Sequence, residues 1–185
     1  MLFHIFSVLV HAMAGLVAGT CLLRLYMQFQ RINLSLRSGN PLAPFIFALT
    51  NWLVMPLRRV VPALGRLDTA SLLAAGLVVA AKFVLLSLAA GAVPSGVALL
   101  WVCVLDLLNV SVSGLGWLVI AYAVLSWVRA GTDVAYFLAQ LVEPLLRPIR
   151  RVLPLVGGVD LSPLALLLLL QVLEIVLRGL QIPLI

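Results

Sequence analysis

Arginine and aspartate recur in this chain at a spacing that invites pairing. Arg58 and Arg59 precede Asp68, and Arg150 and Arg151 precede Asp160, with prolines and glycines between them. A guanidinium presents a planar fork that meets a carboxylate through two parallel hydrogen bonds, which lysine cannot do. The expected chemistry is one ion pair per set, Arg58 or Arg59 with Asp68 and Arg150 or Arg151 with Asp160. Pro62 and Gly65, or Pro154, Gly157 and Gly158, would turn the chain back to permit it. The plainer role of the same arginines is to fix membrane topology and to meet lipid headgroups.

The two sets are copies. The stretch from Pro56 to Asp68 aligns with Pro148 to Asp160 at a constant shift of 92 (148 − 56), with identities on Pro, Arg, Arg, Val, Pro, Gly and Asp. Those types set backbone shape and charge, so chance likeness between apolar segments would not reproduce them, and a duplication follows. The doubled P-x-R-R-x-x-P-x-x-G-x-x-D element resembles the signature of the YggT family of small integral membrane proteins. Ser126-Trp127 and Asp160-Leu161-Ser162-Pro163 also fit the pattern, whereas the first copy has Asp68-Thr69-Ala70-Ser71 in place of Asp-x-Ser-Pro. The resemblance covers nearly the whole chain and implies a multi-pass protein of the bacterial inner membrane. Relatives are tied to cofactor assembly, membrane organisation and cell division, plastid ones to cytochrome haem assembly. Some bacterial relatives are linked to osmotic-stress tolerance and cation uptake.

Composition independently demands a membrane. Of 185 residues, 64% are hydrophobic and 10% charged, too little charge to cover a soluble domain of this size. The net charge of +6 comes from arginine apart from one lysine, Lys82. Because the arginines flank apolar spans, anionic headgroups are their expected partner, and no basic domain suited to nucleic acid is present. The architecture expected is all-α: four transmembrane helices from two parallel repeats, residues 1–93 and 94–185. Spans are expected near 2–26, 69–93, 107–127 and 161–180, since about 20 apolar residues cross a bilayer. The polar group Asn109, Ser111, Ser113, Gly114 and Gly116 suggests a break or tilt in the long run before Val128. Amphipathic helices are expected near 41–55, with Asn40 as cap and Pro41 first, and near 133–143, where Pro144 should bend or end the helix.

Orientation follows from arginine placement. Arg31, Arg37, Arg58, Arg59 and Arg66 lie between the first two spans, and Arg129, Arg147, Arg150 and Arg151 between the last two, with none in the middle turn. Both arginine loops are then cytoplasmic and both termini outside. The repeats are related by an axis along the membrane normal, not inverted.

The remaining chemistry is sparse. Adding 92 to Lys82 gives Glu174, so opposite charges stand at equivalent depth in two spans, and a Lys82–Glu174 clamp across the repeats is expected. The competing arrangements are Lys82 snorkelling or pairing with Asp106, and Glu174 bonding only Arg178. Glu143 and Arg147 form an (i, i+4) pair, and Asp160-Leu161-Ser162-Pro163 reads as a helix start capped by Ser162. Gly15 and Gly19 share a face suited to close helix contact. His4 and His11, and the isolated Cys21 and Cys103, read as interfacial and packing residues. No nucleophile–base set or phosphate loop appears in the sequence, so no catalytic, cofactor or metal residue is assigned. Two function classes remain. One is a non-enzymatic scaffold or assembly factor whose arginine-rich face engages lipid, a membrane protein or a second copy. The other is a small transport or channel component.

Overall fold

The computed structural model describes residues 1–32, 34, 39–62, 67–91, 96–127, 132–153 and 160–181. Among these there are six helices and no strand: α1 (Leu2–Phe29), α2 (Ala43–Val60), α3 (Thr69–Ala89), α4 (Gly96–Trp127), α5 (Asp133–Arg150) and α6 (Ser162–Gln181). Four of them, α1, α3, α4 and α6, are long and apolar enough to cross a membrane. The chain is a multi-pass membrane protein. Each half runs long helix, shorter helix, long helix. α1 packs on α3 and α4 on α6, with α2 against α1 and α3, and α5 against α4 and α6. The halves meet where α4 packs on α3 and α1.

Three of the spans, α1, α3 and α4, are hydrophobic on nearly every side, as lipid-facing helices are, while α6 also carries Gln171, Glu174 and Arg178. α2 and α5 each bury one stripe: Ala43, Ile46, Thr50 and Val54 in α2, and Leu138, Leu141, Val142 and Leu146 in α5. At their end of the bundle Tyr26 Oη and Gln30 Nε2 donate to the Leu141 carbonyl at 2.9 and 3.3 Å. That ties the first span to the second half's short helix and brings both short helices to one end.

Several boundaries differ from expectation for identifiable reasons. The third span is not broken: α4 runs unbroken for 32 residues, about 48 Å at 1.5 Å per residue against about 30 Å of hydrocarbon. Ser111 needs no gap, since its Oγ donates back to the Leu107 carbonyl at 2.7 Å, while Asn109 Oδ1 is buried without a hydrogen-bond partner. α5 likewise continues through Pro144 and Pro148 to Arg150. Both prolines and Gln140 are exposed, so the carbonyls that lose a donor lie on the outer side. α2 begins at Ala43, with Pro44 in its first turn, and not at Pro41. Asn40 Oδ1 instead accepts from the Leu42 N–H at 3.0 Å, closing the preceding turn. Thr132 caps α5, accepting from the Ala135 N–H at 3.3 Å. Gly65, Arg66, Pro154, Gly157, Gly158, Arg37 and Arg129 lie outside the described residues.

Candidate functional site

Two junctions, each where a short helix hands the chain to a span, each gather three charged side chains. In the first, Asp68 sits directly before α3, where a negative charge favours the positive end of the helix. Its Oδ2 accepts from Arg58 Nη2 at 2.5 Å and from Ser71 Oγ at 2.6 Å. The hydrogen-bond network sets the Gln28 amide with nitrogen 2.8 Å from Asp68 Oδ2 and oxygen 2.9 Å from Arg58 Nη2. Arg24 enters from α1. Its Nη1 donates to Thr50 Oγ1 at 2.8 Å and Asn51 Oδ1 at 2.9 Å, and its guanidinium lies 5.1 Å over the Phe47 ring. Its Nε is 3.9 Å from Asp68 Oδ2. Arg24 and Asp68 are almost fully buried, at 2% and 4% exposure. Burial alone would raise the Asp68 carboxyl. The hydrogen bonds from Arg58 and Ser71 and the charges of Arg58 and Arg24 outweigh it and hold the group below the ordinary carboxylate range.

In the second junction one arginine spends its whole fork. Arg150 donates from Nε to Asp160 Oδ2 at 2.8 Å, from Nη1 to Glu143 Oε2 at 2.7 Å and from Nη2 to Tyr122 Oη at 3.1 Å. Asp160 Oδ1 accepts from the Ser162 N–H at 2.9 Å, so Asp160, and not Ser162, supplies the side-chain acceptor at the start of α6. Burial pushes the Asp160 carboxyl up, but bonding to Ser162 and Arg150 brings it below its ordinary value. The three ionised side chains here are about a third exposed, far wetter than the first junction.

The expected pairing is therefore present in both copies, and it selects the first arginine of each pair. Arg59 and Arg151 are exposed. Glu143 is not the partner of Arg147, as the (i, i+4) spacing suggested. Arg150 reaches it from the next turn, leaving Arg147 exposed. Pro56, Pro62 and Pro148 shape the approach, and Pro62 O accepts from Thr69 Oγ1 at 2.8 Å. Pro163 is buried in the first turn of α6.

The junctions differ in sign. The first holds Arg24, Arg58 and Asp68 (2 − 1 = +1), the second Arg150, Glu143 and Asp160 (1 − 2 = −1). At the shift of 92, Arg24 faces Gly116 and Glu143 faces Asn51, so each copy has added its own extra charge. In the sequence Arg24 stands only as the first charge after the N-terminal apolar run. Its absence from the second copy was the available signal of a separate role.

The intramembrane charges do not form the Lys82–Glu174 clamp. Lys82 Nζ bonds Asp106 Oδ2 at 2.5 Å and sits 4.5 Å over the Phe83 ring. Glu174 meets Arg178 one turn along at 3.7 Å. The reason is topological: α3 packs on α1 and α4, not on α6, so α4 delivers the counter-ion. A Cβ added at Gly19 would meet the Val110 side chain of α4 at 3.8 Å, whereas one at Gly15 would meet open space, so only Gly19 lies close to the other half.

The CCB3/YggT family model matches residues 2–89 and 102–181. The chain belongs to the YggT family. A protein of Escherichia coli K12 named uncharacterized protein YggT is 39% identical over 155 residues, covering 83% of this chain and 78% of the relative. A protein of Vibrio alginolyticus named for the proC 3′ region is 36% identical over 168 residues, 89% of each chain. One from Haemophilus influenzae is 31% identical over 168 residues, covering 89% and 86%. No solved structure matches. The family match falls on both halves and takes in both Arg–Asp junctions.

Proposed function

We propose that this member of the YggT family is a non-enzymatic scaffold or assembly factor of the bacterial inner membrane, built from two parallel repeats. Its arginine-rich side, facing the cytoplasm, engages anionic headgroups, a membrane partner protein, or both. One observation carries the reading: Arg58 and Arg150 bond into the junctions, while Arg59 and Arg147 stand exposed on the same short helices and Arg151 stands exposed directly after α5. The inward arginines make the frame and the outward ones a cationic surface. Near an anionic surface each is worth about 1 kcal/mol. Replacing Arg59, Arg147 and Arg151 by alanine should therefore weaken retention of phosphatidylglycerol, or of a cross-linked partner, by up to about 100-fold with the fold intact. Unchanged retention of both would sink the proposal.

The orientation has its own test. In a chain carrying Cys21→Ala and Cys103→Ala, a cysteine at Thr132 should resist an impermeant thiol reagent in intact cells, and one at Ala90 should react. The reverse pattern places the arginines outside.

A second reading rests on a different observation. Lys82 and Asp106 are buried in the spans, and a cavity of about 780 Å³ between α1 and α4 is lined by His11, Asn109 and Ser113 among apolar residues. Intramembrane charges mark ion paths in transport proteins. Purified protein in liposomes decides: cation flux above that of empty vesicles, lost on mutation of Asn109, supports a channel component, and flux equal to empty vesicles leaves the scaffold.

A further inference from the structure

α2 has a second apolar face. Opposite its buried stripe, Phe45, Ala48, Trp52 and Met55 follow one another at three- and four-residue steps, and the three large side chains are 56, 64 and 54% exposed. A short helix beside water carries polar residues on that side. α2 has no charged residue before Arg58, and the exposed stripe runs directly into Arg59.

The second half shows that position does not force this. At the shift of 92 the same face of α5 carries Phe137, Gln140, Pro144 and Arg147, of which the last three are exposed. The two helices hold corresponding places, since Arg58–Asp68 and Arg150–Asp160 pair at the same shift. An axis along the membrane normal keeps equivalent surfaces at equal depth. Apolarity on α2 alone is thus a property of its own contact.

We propose that this face of α2 inserts into the cytoplasmic leaflet at the headgroup–acyl boundary, and that the matching face of α5 does not. The first half then grips the lipid while the second leaves a polar helix face free. This rests on the orientation and lipid contact proposed above. The residue types fit a lipid surface. Trp and Phe lie on one side and an arginine closes the stripe where phosphates lie, the pattern of a helix lying in the interface. The Trp52 Nε1 donates to the Leu49 carbonyl at 2.7 Å, so the indole needs no outside partner. The stripe's exposed flanks are Pro44, Pro56 and Val60, which have no side-chain donor or acceptor. A protein interface carries about one hydrogen bond per 100–200 Å², and this face offers almost none, whereas acyl chains require none.

The test makes Trp52 the sole tryptophan through Trp101→Phe, Trp117→Phe and Trp127→Phe, in full-length protein reconstituted in phosphatidylcholine vesicles. Chains brominated near the headgroup should quench Trp52 severalfold more than deep-brominated chains, and aqueous iodide should barely reach it. In the same background with Trp52→Phe, a Gln140→Trp probe should show the reverse. Insertion driven by apolar area persists in phosphatidylcholine, whereas engagement by the exposed arginines needs anionic lipid, so the two proposals fail separately. Iodide quenching of Trp52 equal to that of the Gln140→Trp probe would overturn insertion, and shielding from both quenchers would mean that protein covers the face. If the multiple variant does not assemble, the quenching difference between wild type and Trp52→Phe alone separates the same outcomes.

Discussion

Asp106→Ala is expected to destabilise the protein by about 3–5 kcal/mol, because it strands the Lys82 ammonium among apolar helices. Lys82 is 5% exposed and the Asp106 carboxylate 11%, with 2.5 Å between them and Phe83 against the cation. A buried pair is weak evidence for net stability, but half of one is costly. The double change Lys82→Met with Asp106→Leu should therefore recover most of what Asp106→Ala loses. Exchanging the pair, Lys82→Asp with Asp106→Lys, should recover part. By contrast Glu174→Ala should cost less, since its pair with Arg178 stands 3.7 Å apart in the last turns of α6, against 2.5 Å for Lys82 and Asp106. Thermal unfolding in mild detergent measures all four. A Glu174→Ala loss matching that of Asp106→Ala would contradict the geometry.

Residues of special type were legible; their assembly was less so. The four spans showed in apolar run length, because a bilayer sets a length threshold that sequence meets directly. The Arg–Asp junctions showed because duplication repeated shape-setting residues among interchangeable apolar ones. The start of α3 at Thr69 was legible, but α1, α2 and α5 run past their expected ends. Pro144 signalled a bend or an end, and α5 does not end there, since a proline on an exposed face gives up a hydrogen bond where that loss is cheap. The Lys82–Glu174 clamp failed for a different reason. Equivalent positions in two repeats touch only if their helices pack across the axis, and which spans pack is decided by surface shape that no periodicity records. Arg24 was hidden because burial of one arginine depends on Thr50, Asn51 and Phe47 arriving from α2, 23 to 27 residues downstream.

The two junctions should respond unequally to the same change. Asp68→Ala removes the only carboxylate beside two guanidiniums, one of them 2% exposed. Arg24 keeps Thr50 and Asn51 but loses its counter-charge, and Arg58 loses its bond, so a cost of about 3 kcal/mol or more is expected. Asp160→Ala leaves Arg150 with Glu143 and Tyr122 in a junction about a third exposed, and should cost about 1 kcal/mol. Acid should reproduce the order. Both carboxyls titrate below their ordinary value in the fold, so their contribution is whole above about pH 4. It is lost as pH falls through the folded-state value. Wild type should therefore lose stability more steeply below about pH 4 than Asp68→Ala does, while Asp160→Ala keeps most of the wild-type slope. Melting temperature against pH for the three proteins reads this directly. Equal losses from the two alanine variants would show that burial of Arg24 does not govern the first junction.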